Sequence, residues 1–114
     1  MVKKRGELNL DGRSAFYTML FNKMKEKAAD LGYALTVHGS MMSDMDMIAI
    51  PWVEDVAEPI ELVTEISKFL EPTIWKDHHF KENEDKPHNR VVYTMSIYSD
   101  WYIDLSIIKP IPKK

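Results

Sequence analysis

The chain has 114 residues, the usual size of one domain, and 45% of them are hydrophobic, so a single packed core is expected over residues 1–114. A formal net charge of −3 argues against duplex nucleic acid as a partner, because duplex binding usually needs a basic surface. The absence of cysteine excludes disulfides and thiolate metal ligands and favours a cytoplasmic location. No apolar run reaches the ~20 residues of a membrane helix, so no membrane partner is expected.

The first part of the chain predicts a flexible polar arm over residues 1–12 and then an amphipathic helix over residues 14–31. Ser14 is the expected N-cap, and Gly32 stands where a helix end favours a left-handed residue. Apolar side chains recur every three or four residues and therefore share one face of this helix: Phe16, Tyr17, Leu20, Met24, Ala28 and Leu31.

Two strands are predicted next, over residues 33–37 and 45–50, with a turn over residues 38–44 and Pro51 ending the second strand. Alternation divides the second strand into two faces. One face is expected to carry Met45, Met47 and Ala49, and the other Asp46, Ile48 and Ile50.

The second half predicts a helix that begins at Glu58-Pro59 and ends before Pro72. Its expected apolar stripe consists of Ile60, Val63, Ile66 and Leu70, joined by Leu62 and Phe69. A short strand is expected over residues 74–80 and a charged loop over residues 81–89. The last two strands, over 91–98 and 101–108, are expected to form a hairpin. This order of elements predicts an α+β fold.

Three carboxylates are the strongest candidates for a functional site. Asp44 and Asp46 are two residues apart, so their side chains share a strand face, where each tends to raise the pKa of the other. Asp104 stands in an otherwise apolar strand, where a lone carboxylate is unfavourable unless it is paired or metal-bound. If the two strands are neighbours, the three carboxylates could hold one or two Mg²⁺ or Mn²⁺ ions, the arrangement used in phosphoryl transfer.

The second half of this candidate site is the Gly39-Ser40 bend. Glycine lets a phosphate approach the backbone, and Ser40 offers a hydroxyl and an amide to phosphate oxygens. Lys86 and Arg90 are weaker candidates for balancing the charge of a substrate. His38 is compatible both with a bond to a phosphate or a carboxylate and with a purely structural role.

Two other residue types are interpreted as structural. Four methionines around the candidate site are expected to fill the core: Met41, Met42, Met45 and Met47. Trp52 is expected to pack beneath the second helix, although stacking on a base is an alternative.

The pattern of Gly39-Ser40, Asp44-Met45-Asp46 and a later strand with Asp104 resembles the nucleotidyltransferase superfamily of DNA polymerase β and the minimal nucleotidyltransferases. The resemblance implies a mixed β-sheet of four to five strands with two main helices packed on one face. It also implies that Asp44, Asp46 and Asp104 are catalytic and bind the metal, and that Gly39 and Ser40 bind a nucleoside triphosphate.

A narrower resemblance is to short phage-encoded proteins of unassigned function, which would place the protein in the host cytoplasm. This resemblance rests on Leu31-Gly32-Tyr33, His38-Gly39-Ser40, Asp44-Met45-Asp46, Ile48-Ala49-Ile50-Pro51-Trp52, Lys86-Pro87-His88 and Tyr102-Ile103-Asp104-Leu105-Ser106.

The spacer between Ser40 and Asp44 departs from the superfamily pattern. Only residues 41–43 intervene, whereas superfamily members usually have a longer spacer that includes a short helix. Three hypotheses therefore remain open. The first is a metal-dependent enzyme that transfers a nucleoside monophosphate to an unknown acceptor. The second is a non-catalytic protein of the same fold that binds a host or defence protein. The third is a metal- or nucleotide-sensing module that works with another subunit.

Overall fold

A computed structural model describes most of the chain. The described residues are 12–39, 41, 44–70, 80–82, 87–97 and 101–111. The expectations for the arm over 1–11, the strand over 74–79 and the hairpin turn near 99–100 lie outside them, as do Ser40, Met42 and Lys86.

In the described part of the chain, two helices and five strands follow one another in the predicted order, which confirms the α+β class. The helices are α1 (Arg13–Asp30) and α2 (Pro59–Leu70). The strands are β1 (Tyr33–His38), β2 (Met45–Pro51), β3 (Phe80–Glu82), β4 (Arg90–Ile97) and β5 (Trp101–Ile108).

The five strands form one mixed sheet in the order β1-β2-β5-β4-β3. β2 and β5 are parallel, and the other neighbouring pairs are antiparallel. The chain passes through α2, β3 and β4 between these two strands. Since β3 and β5 are both antiparallel to β4, the strand that follows α2 and the last strand run in the same direction as β2. Hence β2 and β5, far apart in sequence, are central neighbours.

The hydrophobic core lies between one face of this sheet and the two helices. Met45, Met47 and Ala49 of β2 are fully buried there, as the alternation predicts. The same core contains Tyr17, Met24 and Ala28 of α1, Leu62, Val63, Ile66 and Leu70 of α2, and Ile103, Leu105 and Ile107 of β5. No described helix covers the opposite face, which we call the open face. Neither helix has the length and apolar character that crossing a membrane requires.

Of the two residues expected to cap the ends of α1, the structure confirms Gly32 and not Ser14. The helix begins at Arg13, so the N-cap residue is Gly12 and not Ser14. Gly12 has φ 86°, and no side chain makes a capping hydrogen bond at this end of the helix. Ser14 lies inside the first turn, where its carbonyl accepts a hydrogen bond of 2.9 Å from the Thr18 hydroxyl. At the other end, Gly32 has φ 93°, which confirms the left-handed residue expected there.

Two apolar side chains lie elsewhere than predicted. Ile60 is 50% exposed because it faces the groove between the end of α1 and the start of α2, and Ser67 is buried on the helix instead. Trp52 is 77% exposed and not under α2. Its backbone N–H donates to the carbonyl of Gly32 at 2.8 Å, which holds it at the end of the sheet.

The strand boundaries also differ slightly from the predicted ones. His38 belongs to β1, where it pairs with Asp46, and not to the following turn. Residues 81 and 82 pair with β4 as part of β3, although a loop was expected from residue 81. Both differences extend strands by pairing with a neighbour, which the local sequence does not specify.

Candidate functional site

The candidate carboxylates meet on the open face because of the strand register. Asp46 of β2 is the direct partner of Asp104 on β5. On either side of this pair, His38 lies opposite Asp46 and Thr94 lies opposite Asp104. These four residues form a line across β1, β2, β5 and β4, which we call the polar row.

Hydrogen bonds connect the members of the polar row. The Thr94 hydroxyl donates to Oδ1 of Asp104 at 2.7 Å. The side chains of Asp46 and Asp104 also form a hydrogen bond with each other. This contact favours the protonated form of the Asp46 carboxyl group and so contributes to its raised pKa.

Burial and electrostatic repulsion both raise the pKa values of carboxyl groups at this site. Partial burial raises the pKa of Asp46, and the charges of Asp104 and Asp44 raise it further, whereas His38 opposes them. Burial, followed by the charge of Asp104, likewise raises the pKa of Asp44, and Arg13 opposes this shift. The sequence predicted raised pKa values from the Asp44–Asp46 pair, but the closest pair is Asp46 with Asp104.

The oxygen ligands present are the type that Mg²⁺ and Mn²⁺ prefer. Within the described part of the chain, no three His, Asp or Glu side chains are arranged to surround a single metal ion. Asp46 and Asp104 nevertheless stand in direct contact, and Asp44 acts on both through its charge. This donor set fits Mg²⁺, which typically uses one or two carboxylates together with water and substrate phosphates rather than a complete protein cage.

The predicted glycine bend lies against the same carboxylates. Gly39 has φ 85°, a conformation that favours glycine. A Cβ atom at this position would lie 3.7 Å from Oδ2 of Asp46, so the backbone of the bend lies beside the carboxylate. Ser40, the other half of the predicted bend, is outside the described residues.

The polar row, together with Arg90, Val92 and Ser106, lines a cleft of about 470 Å³. Arg90 was a sequence candidate, and the structure brings it into this cleft. Its Nη1 donates to Oγ of Ser106 at 2.9 Å, and its Nε donates to the carbonyl of Pro87 at 3.1 Å. The cleft therefore has carboxylates on one side and a guanidinium group on the other.

Three residues near the carboxylates were not among the sequence candidates. Thr94 and Ser106 have a weak sequence signal, since alternation places them on the open faces of their strands. Arg13 has none. It is 6% exposed, its guanidinium lies 5.3 Å from the ring centroid of Trp101, and its charge lowers the pKa of Asp44. Tertiary packing alone brings the start of α1 close to the site.

The remaining candidate positions have different outcomes. His38 belongs to the polar row and interacts electrostatically with Asp46, which agrees with the carboxylate alternative. His88, which the sequence analysis named only as part of the narrower resemblance, lies in an exposed turn with φ 69° and does not line the cleft. Met45 and Met47 are fully buried and Met41 packs against the core, as the sequence predicted.

Comparison with known proteins gives no assignment: no protein-family model and no curated protein sequence matches this chain. The geometry of the cleft is therefore the basis for the function considered next.

Proposed function

We propose that the chain is a minimal nucleotidyltransferase-like protein that uses a divalent metal ion to transfer a nucleoside monophosphate to an acceptor. One observation carries this proposal. Asp46 and Asp104 are register partners on adjacent parallel strands, and their carboxyl groups are in hydrogen-bond contact inside a cleft. The resemblance of Gly39-Ser40 and Asp44-Met45-Asp46 to the superfamily pattern supports the same conclusion.

The metal ligands in this proposal are Asp46 and Asp104, with Asp44 as the third carboxylate. At neutral pH the ionised pair is unfavourable without a cation, since burial and mutual repulsion both favour the protonated form. A bound Mg²⁺ or Mn²⁺ ion supplies charge neutralisation for the phosphate oxygens.

The chain's own groups have separate roles in the transfer. The Thr94 hydroxyl donates to Oδ1 of Asp104 and so orients this carboxylate, which accepts the proton of the acceptor hydroxyl. The acceptor oxygen forms a bond to the α-phosphorus, and the bond to the bridging oxygen breaks. Pyrophosphate leaves with that electron pair. The Gly39 backbone and Ser40 position the triphosphate, and Arg90 and Lys86 balance its charge.

The direct test is transfer from labelled nucleoside triphosphates in the presence of Mg²⁺ or Mn²⁺. We expect Asp46→Asn and Asp104→Asn each to lower the rate at least ~100-fold, because each removes a charge that binds the metal. Asp30→Asn is the matched control, since it neutralises an exposed carboxylate at the end of α1 and should leave the rate unchanged. A folded wild-type protein without transfer for any nucleotide or acceptor would argue against the proposal.

A second candidate is a non-catalytic protein of this fold, phage-encoded, that binds a host or defence protein. The observation that favours it is the exposed apolar pair at the end of β2, where Trp52 is 77% and Val53 is 50% exposed. The short spacer between Ser40 and Asp44 also favours it. In this case a purified complex should survive the double change Asp46→Asn with Asp104→Asn and dissociate on Trp52→Ser. The opposite pattern would favour the enzyme.

A further inference from the structure

We propose that Arg90 and Ser106 form an oxyanion subsite in the cleft, and that this subsite takes a phosphate group of the ligand. The inference rests on the proposed function only in assigning that phosphate to a nucleotide. The subsite itself is argued from the hydrogen bonds, burial and position of these two residues.

Arg90 is held in place without being neutralised. Its Nε bonds to the carbonyl of Pro87, and its Nη1 bonds to the hydroxyl of Ser106, at 3.1 and 2.9 Å. The ion pairs among the described residues join Lys23 to Glu26 and Lys68 to Glu65 and do not involve Arg90. A guanidinium group has five N–H donors, so those of Nη2 remain available to a ligand. The arginine is therefore pre-organised for an anion.

Ser106 supplies the second donor. It is 6% exposed, and its Oγ accepts the hydrogen bond from Arg90. No group of the described residues accepts the hydroxyl proton of Ser106, so a ligand oxygen in the cleft can accept it. A serine between Leu105 and Ile107 is unusual in a strand that is otherwise largely apolar, and this pairing accounts for it.

The position of the subsite suits a phosphate attached to a longer ligand. Ser106 follows Asp104 by two residues on the same face of β5, which separates their Cα atoms by roughly 6.5 Å. Val92, the register partner of Ser106, forms part of the cleft wall there. A ligand can therefore place one phosphate at Arg90 while its next group reaches the carboxylate pair.

Phosphate fits the subsite better than a carboxylate does. A phosphate has at least three oxygens, so it can accept from the planar fork of Arg90 and from the Ser106 hydroxyl at the same time. A carboxylate has only two oxygens in one plane. Asp46 and Asp104 repel an anion bound nearby. Several charge-assisted hydrogen bonds are therefore needed to offset this repulsion, and phosphate can form more of them than a carboxylate can.

The experiment is an NMR titration of ¹⁵N-labelled protein with inorganic phosphate, with EDTA present to remove divalent metals. The signals followed are the Nε–H of Arg90 and the backbone amide of Ser106. We expect saturable shifts at both with a dissociation constant in the millimolar range, and much weaker shifts with acetate at equal ionic strength. No saturable shift with phosphate, or equal binding of acetate, would overturn the assignment.

Three variants test the residues. Arg90→Gln should weaken phosphate binding by about tenfold or more, since a charge-assisted hydrogen bond is lost, and Ser106→Ala should weaken it less. Lys23→Gln removes the same charge from an exposed ion pair on α1 and should have no effect. The Ser106→Ala arm keeps the proposal testable if Arg90→Gln does not fold. Wild-type affinity in both folded variants contradicts the proposal.

The metal-free titration also separates this inference from the proposed function. Phosphate binding that depends on Arg90, in a protein without transferase activity, supports the subsite and rejects the enzyme. Transfer that is unaffected by Arg90→Gln and Ser106→Ala supports the enzyme and rejects the subsite.

Discussion

The two faces of the central strands differ in polarity and burial, although they consist of alternate residues of the same segments. On the face beneath the helices, Met47 and Leu105 are fully buried among apolar neighbours. One residue before each of them, Asp46 and Asp104 lie side by side on the open face. Stability comes mainly from the first face, which leaves the second free to hold groups that repel each other.

The largest expected difference comes from removing the same side chain on each face. Ile103→Ala leaves a cavity in the core and should lower the free energy of unfolding by about 2–5 kcal/mol. Ile48→Ala on the half-buried open face should lower it by only about 1 kcal/mol. Urea unfolding measures both values, and equal losses would show that the open face is also packed.

The glycines at the two ends of β1 sharpen the comparison. Both have positive φ, so alanine at either position should cost roughly 1–2 kcal/mol in backbone strain. At Gly32 a Cβ atom would also lie 2.7 Å from Cγ2 of Val53, whereas at Gly39 it meets Asp46 at an ordinary distance of 3.7 Å. Gly32→Ala should therefore be the more destabilising in thermal unfolding. If Gly39→Ala were the more destabilising variant, the added Cβ atom at Gly39 would have to meet a closer contact than the one with Asp46.

A buried hydroxyl group gives a smaller effect on the core side. Tyr33 donates to the carbonyl of Ala57 at 2.6 Å, and burial raises its pKa to about 12. Tyr33→Phe should lower the free energy of unfolding by about 1 kcal/mol. Because the folded pKa is raised above the usual 10.0, this stabilisation is complete below pH 10 and is lost as the pH rises towards 12.

Ultraviolet titration of the tyrosines checks the origin of this effect. The wild type should contain a phenol that ionises late, and Tyr33→Phe should remove that phenol and no other. Loss of an early-titrating phenol instead would contradict the assignment.

The smallest effect concerns the dependence of stability on pH at the carboxylates. The pKa of Asp46 is raised above its usual 3.8, so the folded form binds its proton more tightly than the unfolded form. Its contribution to stability is complete below pH 3.8 and is lost as the pH rises through the raised pKa. Asp46→Asn should therefore flatten the decline in unfolding free energy above pH 4, relative to wild type.

Asp30→Asn serves as the control for this prediction, and urea unfolding at a series of pH values is the measurement. An unchanged slope in Asp46→Asn would show that the carboxylate pair does not repel in the folded protein. If the proposed metal site is correct, added Mg²⁺ should stabilise the wild type near neutral pH and have less effect on Asp46→Asn, because the ion would bind the folded pair and not the unfolded chain.

Several features of the site were predictable because they depend on local geometry alone. The alternation of β2 placed Asp46 opposite the buried methionines, and the structure confirms this. The left-handed conformation of Gly32 was also expected from its position after a helix, and Gly39 was expected to lie in a bend. Local periodicity does not reveal where an element meets its neighbours, and so the predictions for Trp52 and Ile60 were wrong.

The sequence by itself determined the order of elements, the division of each strand into an apolar and a polar face, and the identity of the three carboxylates. The tertiary structure decided that Asp46 stands beside Asp104, that Arg90 reaches Ser106 and that Arg13 lies near Asp44. Strand alternation is a property of a few adjacent residues. Register between β2 and β5 depends instead on how both strands pack under the helices, which no short segment specifies.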